Sequence, residues 1–284
     1  MTARTDEVSK DQEKPLLSHL SELALRLRKA IITLFLAFII FFAFGITFIK
    51  IGTLVVPIPY PNLFHSFSTI AIYYFIHHDL PSGLQVINIR TFDPLYASAQ
   101  VSFLFSLAIS VPIFVKEIWG FVSPGLYEHE KRIARSLIVP AALLFLAGAS
   151  FAYFIIVPVM MDFVLLYVNS LGIEPTISLS SFVSTLVTLV AITGIAFEYP
   201  LIMSILTYAG IVKAESWKKN WRWGILISFI IAWIISPGVT GGVIETTIGV
   251  ILSILYLAGT VACGIIEKKQ RQISATNKGL NPRI

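Results

Sequence analysis

Six apolar stretches dominate this sequence, and they are too long and too numerous to be buried in a soluble domain. Because a membrane-spanning helix needs about 20 mostly apolar residues, they predict an all-α membrane protein with six transmembrane helices. Only 13% of the residues are charged, whereas soluble domains carry about 25%. The chain is thus expected to be one membrane domain over residues 1–284, with a long first outer loop and two short final helices. The predicted spans are residues 30–49, 95–115, 133–161, 182–210, 221–235 and 243–266.

The segment Thr53–Leu80 is ambiguous, because it mixes aromatic residues with three prolines and could form a seventh span or an interfacial helix. The distribution of basic residues along the chain distinguishes between a seventh span and an interfacial helix. With six spans, nineteen of the 21 Lys and Arg residues lie on one side, and only Lys50 and Arg90 lie opposite. Since basic residues collect on the cytoplasmic side, six spans are favoured, with residues 1–29 and 267–284 both cytoplasmic. We expect Thr53–Leu80 to be an outer loop whose helix lies on the membrane or over the bundle.

Several classes of function find no support. The net charge of +5 is explained by cytoplasmic loops rather than by nucleic acid. A single cysteine, Cys263, excludes a disulfide within the chain and a cysteine-based metal site. The sequence lacks the zincin, hydrolase and P-loop motifs, so no enzyme, cofactor or metal is expected. His77 and His78 are adjacent, but a solvated loop pair is favoured over a metal site.

Two acids fall within predicted spans. Glu198 lies inside the fourth, where an ionisable side chain is costly and usually functional. The alternative is a protonated Glu198 that is hydrogen-bonded to a neighbouring helix. Pro200 predicts a kink beside it. Glu245 lies near the outer end of the sixth span, and we expect it to reach the headgroup region.

Two cytoplasmic segments carry candidate binding residues. The first is an amphipathic lead-in whose leucines form one helical stripe and in which Glu22 and Arg26 are spaced for an ion pair. The second is the loop at residues 118–132, which mixes aromatic residues with Glu128 and Glu130 around a Ser-Pro-Gly turn. This composition suits a partly apolar, basic peptide. The alternative is ordinary anchoring of Trp and Tyr at the interface.

The order and spacing of four motifs resemble those of the TatC family, the multi-spanning receptor subunit of the twin-arginine protein translocase. The resemblance runs from about Pro15 to Ile266. Each motif alone is weak, but their order among six spans is specific. The motifs are HLSEL at His19–Leu23, FVSPGLYEHEKR at Phe121–Arg132, LAGASFAYFIIVP at Leu146–Pro158 and FEYP at Phe197–Pro200.

The resemblance implies a role for particular residues. It assigns Glu22 and Glu130 to binding the two arginines of the signal peptide of a folded cargo protein. It assigns Glu198 to an intramembrane polar site that recruits TatA-type single-span proteins, with TatB-type proteins as further partners. The recognition patch around Glu130 also includes Phe121, Pro124, Gly125 and Leu126.

The resemblance also implies a location in the cytoplasmic membrane and transport driven by the proton-motive force, and it leaves a homo-oligomer open. The sequence departs from the family pattern at two places. Ala24 replaces a usual arginine, and the turn Ser236–Val239 lacks a usual acid.

Two rival functions are weaker. A secondary ion or solute transporter could use Glu198 as its proton-coupling acid, but no matched, inverted halves are visible in the sequence. An intramembrane protease would need a Ser/His set or paired aspartates, and the sequence offers neither.

Overall fold

The computed structural model describes the backbone of residues 3–51, 54–122, 138–236, 238 and 240–280. Side chains are described within these ranges except at 3–20, 22, 48–51, 54–57, 122 and 273–280. The first helix, α1, runs over Ala3–Ala43. It combines the amphipathic lead-in and the apolar stretch that follows, and it packs along the third helix.

Helix α1 ends six residues before the expected end of the first span, because the chain turns into a β-hairpin. Strands β1 (Phe44–Ile51) and β2 (Leu54–Pro61) pair antiparallel. The prolines of β2 occupy alternate positions, so their missing N–H groups fall on one edge and leave the other edge free to pair. The expectation of a purely helical protein is therefore wrong here, although helices dominate the fold.

A short helix follows the hairpin. Helix α2 (Phe67–His78) begins at Ser66, whose hydroxyl accepts a hydrogen bond from the Thr69 N–H at 3.3 Å. Its 12 residues span about 18 Å, which is too short to cross a bilayer core of about 30 Å. Helix α2 packs against α1 and the third helix.

Three long helical segments form the centre of the molecule and pack against one another. The first is α3 (Asp93–Val122). The second comprises α4 (Ile138–Phe151), a π-helical segment (Ala152–Ile156) and α5 (Val157–Ser170). The third comprises α6 (Leu179–Ala196) and α7 (Tyr199–Tyr208). Two short strands, β3 (Gln85–Ile87) and β4 (Thr176–Ser178), pair in parallel and tie together the loop before α3 and the loop between α5 and α6.

Prolines account for the two interruptions in these segments. Pro158 lacks an N–H group and cannot bond the carbonyl four residues earlier, and the helix widens into the π segment just before it. Pro200 has the same effect at residues 197–198, where α6 ends and α7 begins. The kink predicted at Pro200 is therefore present.

The last helices are α8 (Ala214–Lys219), α9 (Trp221–Ile235) and α10 (Val243–Leu280). The prediction of two short final helices is right for α9, which has 15 residues, and wrong for α10, which has 38. The apolar pattern ends near Ile266, but strong helix formers continue the helix beyond it. The ion pair between Glu267 and Arg271, at 2.6 Å, joins successive turns there.

Four stretches of the described chain are long and apolar enough to cross a bilayer. They make this a multi-pass membrane protein, with α9 as a shorter apolar helix beside α10. The four stretches are Asp93–Phe121, Ile138–Ser170, Leu179–Tyr208 and Val243–Gln272.

Candidate functional site

Glu198 lies at the bend between α6 and α7 and is only 4% exposed. Neither of its carboxyl oxygens has a hydrogen-bond partner among the described residues. Its backbone carbonyl accepts bonds from the N–H groups of Leu201 and Ile202, which starts the first turn of α7. The backbone of Phe145 in α4 lies beside this carboxyl, and the alternative of a Glu198 that is hydrogen-bonded to a neighbouring helix stays a prediction. A buried polar group without a partner is unusual and marks a candidate functional site.

Close packing against α4 holds this bend in place. The Phe197 ring lies against Gly148, where an added Cβ would be 2.6 Å from the ring Cγ. The Phe145 ring lies against Gly194 in the same way, at 2.8 Å. Because neither glycine can accept a side chain without displacing an aromatic ring, the position of Glu198 is fixed by small residues on both helices.

The bend also meets the last two helices. A cavity of about 180 Å³ lies there, between the bend, α9 and α10. Tyr199 lines it from the bend, Ser228 from α9 and Leu252 from α10. Glu198 is not among the residues that line this cavity.

Glu245, which the sequence places near one end of the sixth span, is buried within the protein. It is 5% exposed and lies in the first turn of α10. Its carboxylate accepts hydrogen bonds from the hydroxyls of Ser236, at 2.8 Å, and Thr240, at 3.1 Å. Both hydroxyls belong to the turn between α9 and α10. Glu245 therefore binds its own turn, and the helix N-terminus favours a negative charge at that position.

The site predicted to bind the two arginines is described only in part. Glu22 lies in α1, but its side chain is outside the described residues, as are residues 123–137 with Pro124, Gly125, Leu126 and Glu130. Phe121 is partly buried in the last turn of α3. The structure thus positions Phe121. The relative placement of Glu22 and Glu130, which are predicted to bind the two arginines, lies outside the described residues.

One contact in this region joins the two predicted segments. The Arg26 guanidinium lies against Gly120, where an added Cβ would be 2.5 Å from Nη1. Arg26 lies one turn after Glu22 on α1, and Gly120 directly precedes Phe121. The backbone of the lead-in helix therefore runs beside the end of α3.

Two buried residues lie next to this contact in the sequence: Trp119, which belongs to the predicted binding segment 118–132, and Glu117, which the sequence pattern did not single out. Trp119 is 1% exposed and packs on Tyr208 with ring centroids 5.1 Å apart. Glu117 is 8% exposed although it is charged. It lies one turn before Phe121, on the same side of α3. The sequence signal that could have identified Glu117 is the position of an acid within the last two turns of an apolar helix.

Hydrogen bonds tie the connection between α7 and α9 to helix α10. The Tyr256 hydroxyl donates to the Trp217 carbonyl at 2.6 Å. The Gln270 side-chain amide donates to the Tyr208 carbonyl at 3.0 Å, and the Ala214 N–H donates to Glu267 at 2.9 Å. The connection between α7 and α9 is therefore fastened to the middle and later turns of α10.

Comparison with known proteins identifies the family. The family described as Sec-independent protein translocase protein (TatC) matches residues 18–260. A TatC protein of Azotobacter chroococcum mcd 1 is 31% identical over 237 residues, which cover 84% of each chain. The TatCy protein of Bacillus subtilis (strain 168) is 29% identical over 272 residues, covering 96% of this chain and 97% of that protein.

A solved structure agrees with these sequence relatives. A crystal structure of the twin-arginine translocase receptor TatC superposes with a TM-score of 0.66 at 28% identity. The match covers 88% of this chain and 99% of the other. The chain therefore belongs to the TatC family and is a component of a Sec-independent, twin-arginine protein translocase.

Proposed function

We propose that this chain is the receptor subunit that binds the twin-arginine signal peptide of folded cargo proteins at its cytoplasmic face. The observation that carries this proposal is the contact between Arg26 of α1 and Gly120 of α3. It brings the backbone turn that bears Glu22 close to the segment that leads into Phe121 and the following loop. A solved relative is described as a twin-arginine translocase receptor.

The proposed chemistry is paired recognition of two guanidinium groups. Arginine binds a carboxylate through two parallel hydrogen bonds, whereas lysine is a point charge without that planar geometry. Glu22 and Glu130 come from different segments, so each would bind one of two adjacent arginines. Phe121 and the Pro124–Leu126 turn would contact the apolar part of the peptide. This arrangement would discriminate Arg-Arg from Lys-Lys.

The protein is proposed to lie in the cytoplasmic membrane. It would cross the membrane six times, with both termini in the cytoplasm. This topology rests on the charge distribution of the sequence and on the shortness of α2. It puts both acids of the peptide site on the side from which an export signal arrives. The protein is proposed to act without enzymatic chemistry, with transport driven by the proton-motive force.

A second part of the proposal concerns Glu198 and the last two helices. The unpartnered carboxyl at the bend and the apolar gap between the bend, α9 and α10 support recruitment of TatA-type, and also TatB-type, single-span proteins. Because Glu198 is buried in the isolated chain, recruitment would require its side chain to turn outward or the bend to open.

Site-specific photocrosslinking to a signal peptide tests the peptide site. Glu22→Ala and Glu130→Ala are expected to weaken crosslinking of an Arg-Arg peptide strongly and of a Lys-Lys peptide little. Glu128→Ala, in the same loop as Glu130, is the matched control and should behave like the wild type. Equal crosslinking of both peptides to the wild type and to both variants would exclude this site.

Crosslinking to a TatA-type protein tests the second part. Glu198→Ala is expected to reduce both export and this crosslink while peptide binding is retained. Asp162→Ala, at an exposed position of α5, is the control. Unchanged export and crosslinking in Glu198→Ala would remove Glu198 from the recruitment site without affecting the peptide site.

A further inference from the structure

Two buried polar groups of the bundle lack a partner and are chemically complementary. The carboxyl oxygens of Glu198 have no hydrogen-bond partner among the described residues, and the indole Nε1 of Trp119 has none either. The two residues are only 4% and 1% exposed. An indole N–H can only donate a hydrogen bond, and an ionised carboxylate can only accept one. Each group therefore offers what the other lacks.

The two groups lie in adjacent layers of the space between α3, α4 and α7. The Glu198 carboxyl lies beside the backbone of Phe145. One turn away on each helix, Ala141 and Leu201 belong to the same buried cluster as Trp119. The step from Phe145 to Ala141 on α4 and the step from Glu198 to Leu201 on α7 therefore lead in the same direction. Since one helical turn rises about 5 Å, the indole and the carboxyl are separated by about that distance along the helices.

Packing holds the indole in its own layer. The Trp119 ring lies on the Tyr208 ring at the end of α7, with centroids 5.1 Å apart. Buried donors and acceptors without partners are rare in proteins because they are costly. A small movement of the end of α3 relative to α7 would bring this donor to this acceptor and satisfy both groups with one hydrogen bond.

Trp119 also belongs to the segment that is proposed to bind the peptide. It directly precedes Gly120, against which the Arg26 guanidinium lies, and it stands two residues before Phe121 in α3. A peptide that contacts Phe121 therefore acts on the same helical turn that carries the indole. Such a peptide shifts the position of this turn if it binds the shifted form more tightly.

We propose that Trp119 is a positioning residue for Glu198: when a signal peptide engages the end of α3, the indole N–H donates a hydrogen bond to one carboxyl oxygen of Glu198. The second oxygen stays free and is presented to a polar group of the recruited single-span protein. The structure shows the open form of this pair, and the peptide-bound receptor holds the closed form. The inference rests on the proposed function, because it links the peptide site to the recruitment site.

Indole N–H resonances measure this hydrogen bond directly. The full-length chain is labelled with nitrogen-15 tryptophan and purified in detergent, so that its five tryptophans give indole signals. The signal of Trp119 is the one that Trp119→Phe removes. An Arg-Arg signal peptide should move its proton signal downfield in the wild type, because a hydrogen bond deshields the proton. A Lys-Lys peptide should leave the signal in place.

Variants of Glu198 identify the acceptor. Glu198→Gln keeps a carbonyl oxygen and should retain the downfield movement, whereas Glu198→Leu should abolish it. Thr193→Val alters another fully buried residue, one turn before the bend, and is the matched control that should behave like the wild type. An equal movement in Glu198→Leu and in the wild type would overturn the proposal, since the carboxyl would then not be the acceptor.

Crosslinking measures the consequence for recruitment. Trp119→Phe keeps a buried aromatic ring and removes the N–H group. It should abolish the increase in TatA-type crosslinking that the Arg-Arg peptide causes in the wild type, while crosslinking of the peptide itself is retained. Trp233→Phe, at a position that is 73% exposed, is the control. A full increase in Trp119→Phe, or no increase in the wild type, would contradict the link between the two sites.

These outcomes separate the inference from the proposed function. If the Arg-Arg peptide crosslinks to the chain but leaves the Trp119 signal unmoved, the inference fails and the peptide site stands. If the signal moves as expected but Glu198→Ala leaves recruitment unchanged, the hydrogen bond stands and the recruitment role of Glu198 fails.

Discussion

The hydroxyl of Tyr153 donates a hydrogen bond of 2.6 Å to Oδ2 of Asp79, 74 residues earlier in the chain. Tyr153 belongs to the π segment, and Asp79 ends helix α2. The bond therefore fastens the outer helix to the central bundle. Burial raises the pKa of the Asp79 carboxyl, although the Tyr153 hydrogen bond and the charge of His78 act in the opposite direction.

The raised pKa of Asp79 predicts a pH dependence of stability. Because the folded state binds this proton more tightly than the unfolded state, its contribution is full below the unfolded pKa of 3.8 and is lost as pH rises through the folded value. Asp79→Asn should flatten the fall in melting temperature as the pH rises above 3.8. The measurement is thermal unfolding in detergent, with exposed Asp162→Asn as the control. An unchanged slope in Asp79→Asn would contradict the prediction.

Gly148→Ala should destabilise the contact between α4 and the bend at Glu198. The added methyl group would lie 2.6 Å from Cγ of Phe197 and 2.8 Å from the carbonyl oxygen of Thr193, and overpacking of this kind costs about 1–3 kcal/mol. Gly264→Ala is the matched control, because nothing lies within 4 Å of its added Cβ. Equal melting temperatures for the two variants would argue against tight packing at Gly148.

Glu245→Leu should weaken the turn between α9 and α10. It leaves the buried hydroxyls of Ser236 and Thr240 without their acceptor, at a cost of about 1–3 kcal/mol. Glu245→Gln keeps one carbonyl oxygen as an acceptor and should lose less. Thermal melting compares both with Glu174→Leu, an exposed outer acid. If Glu245→Gln and Glu245→Leu lower the melting temperature equally, the lost hydrogen bonds are not the cause of the destabilisation.

Glu198→Leu is expected to separate stability from function. The carboxyl is buried without a partner among the described residues, so an apolar side chain of similar size should raise the melting temperature by roughly a few degrees. Export should fall if Glu198 acts in recruitment. Paired melting and export assays measure the two effects. A lower melting temperature would show that the carboxyl is bonded in the folded protein.

Much of this architecture was predictable because apolar length is a local property. The central spans and the kink at Pro200 follow from hydropathy and from the chemistry of proline. The hairpin after Ala43 was not predicted, since β1 continues the apolar run of α1, and a short apolar segment does not reveal its own pairing. The full length of α10 was not predicted, because hydropathy indicates where the apolar span ends. A helix can continue past that point in polar residues.

The candidate site residues likewise differ in how far the local sequence reveals them. Glu198 could be identified because one acid in an apolar stretch stands out. The hydrogen bonds of Glu245 could not be predicted, since they depend on how the turn folds back over the first residues of α10. The contact between Arg26 and Gly120 depends on the packing of two helices that are distant in sequence, which a single sequence does not reveal.

The length of α10 has a mechanical consequence. From Val243 to Gln270 the helix extends about 40 Å without a break. Near its start Glu245 accepts a hydrogen bond from the turn between α9 and α10, and near its other end Gln270 and Glu267 bond the connection between α7 and α9. Because both connections are bonded to one unbroken helix, neither can move along the axis of α10 without breaking these bonds or moving the helix.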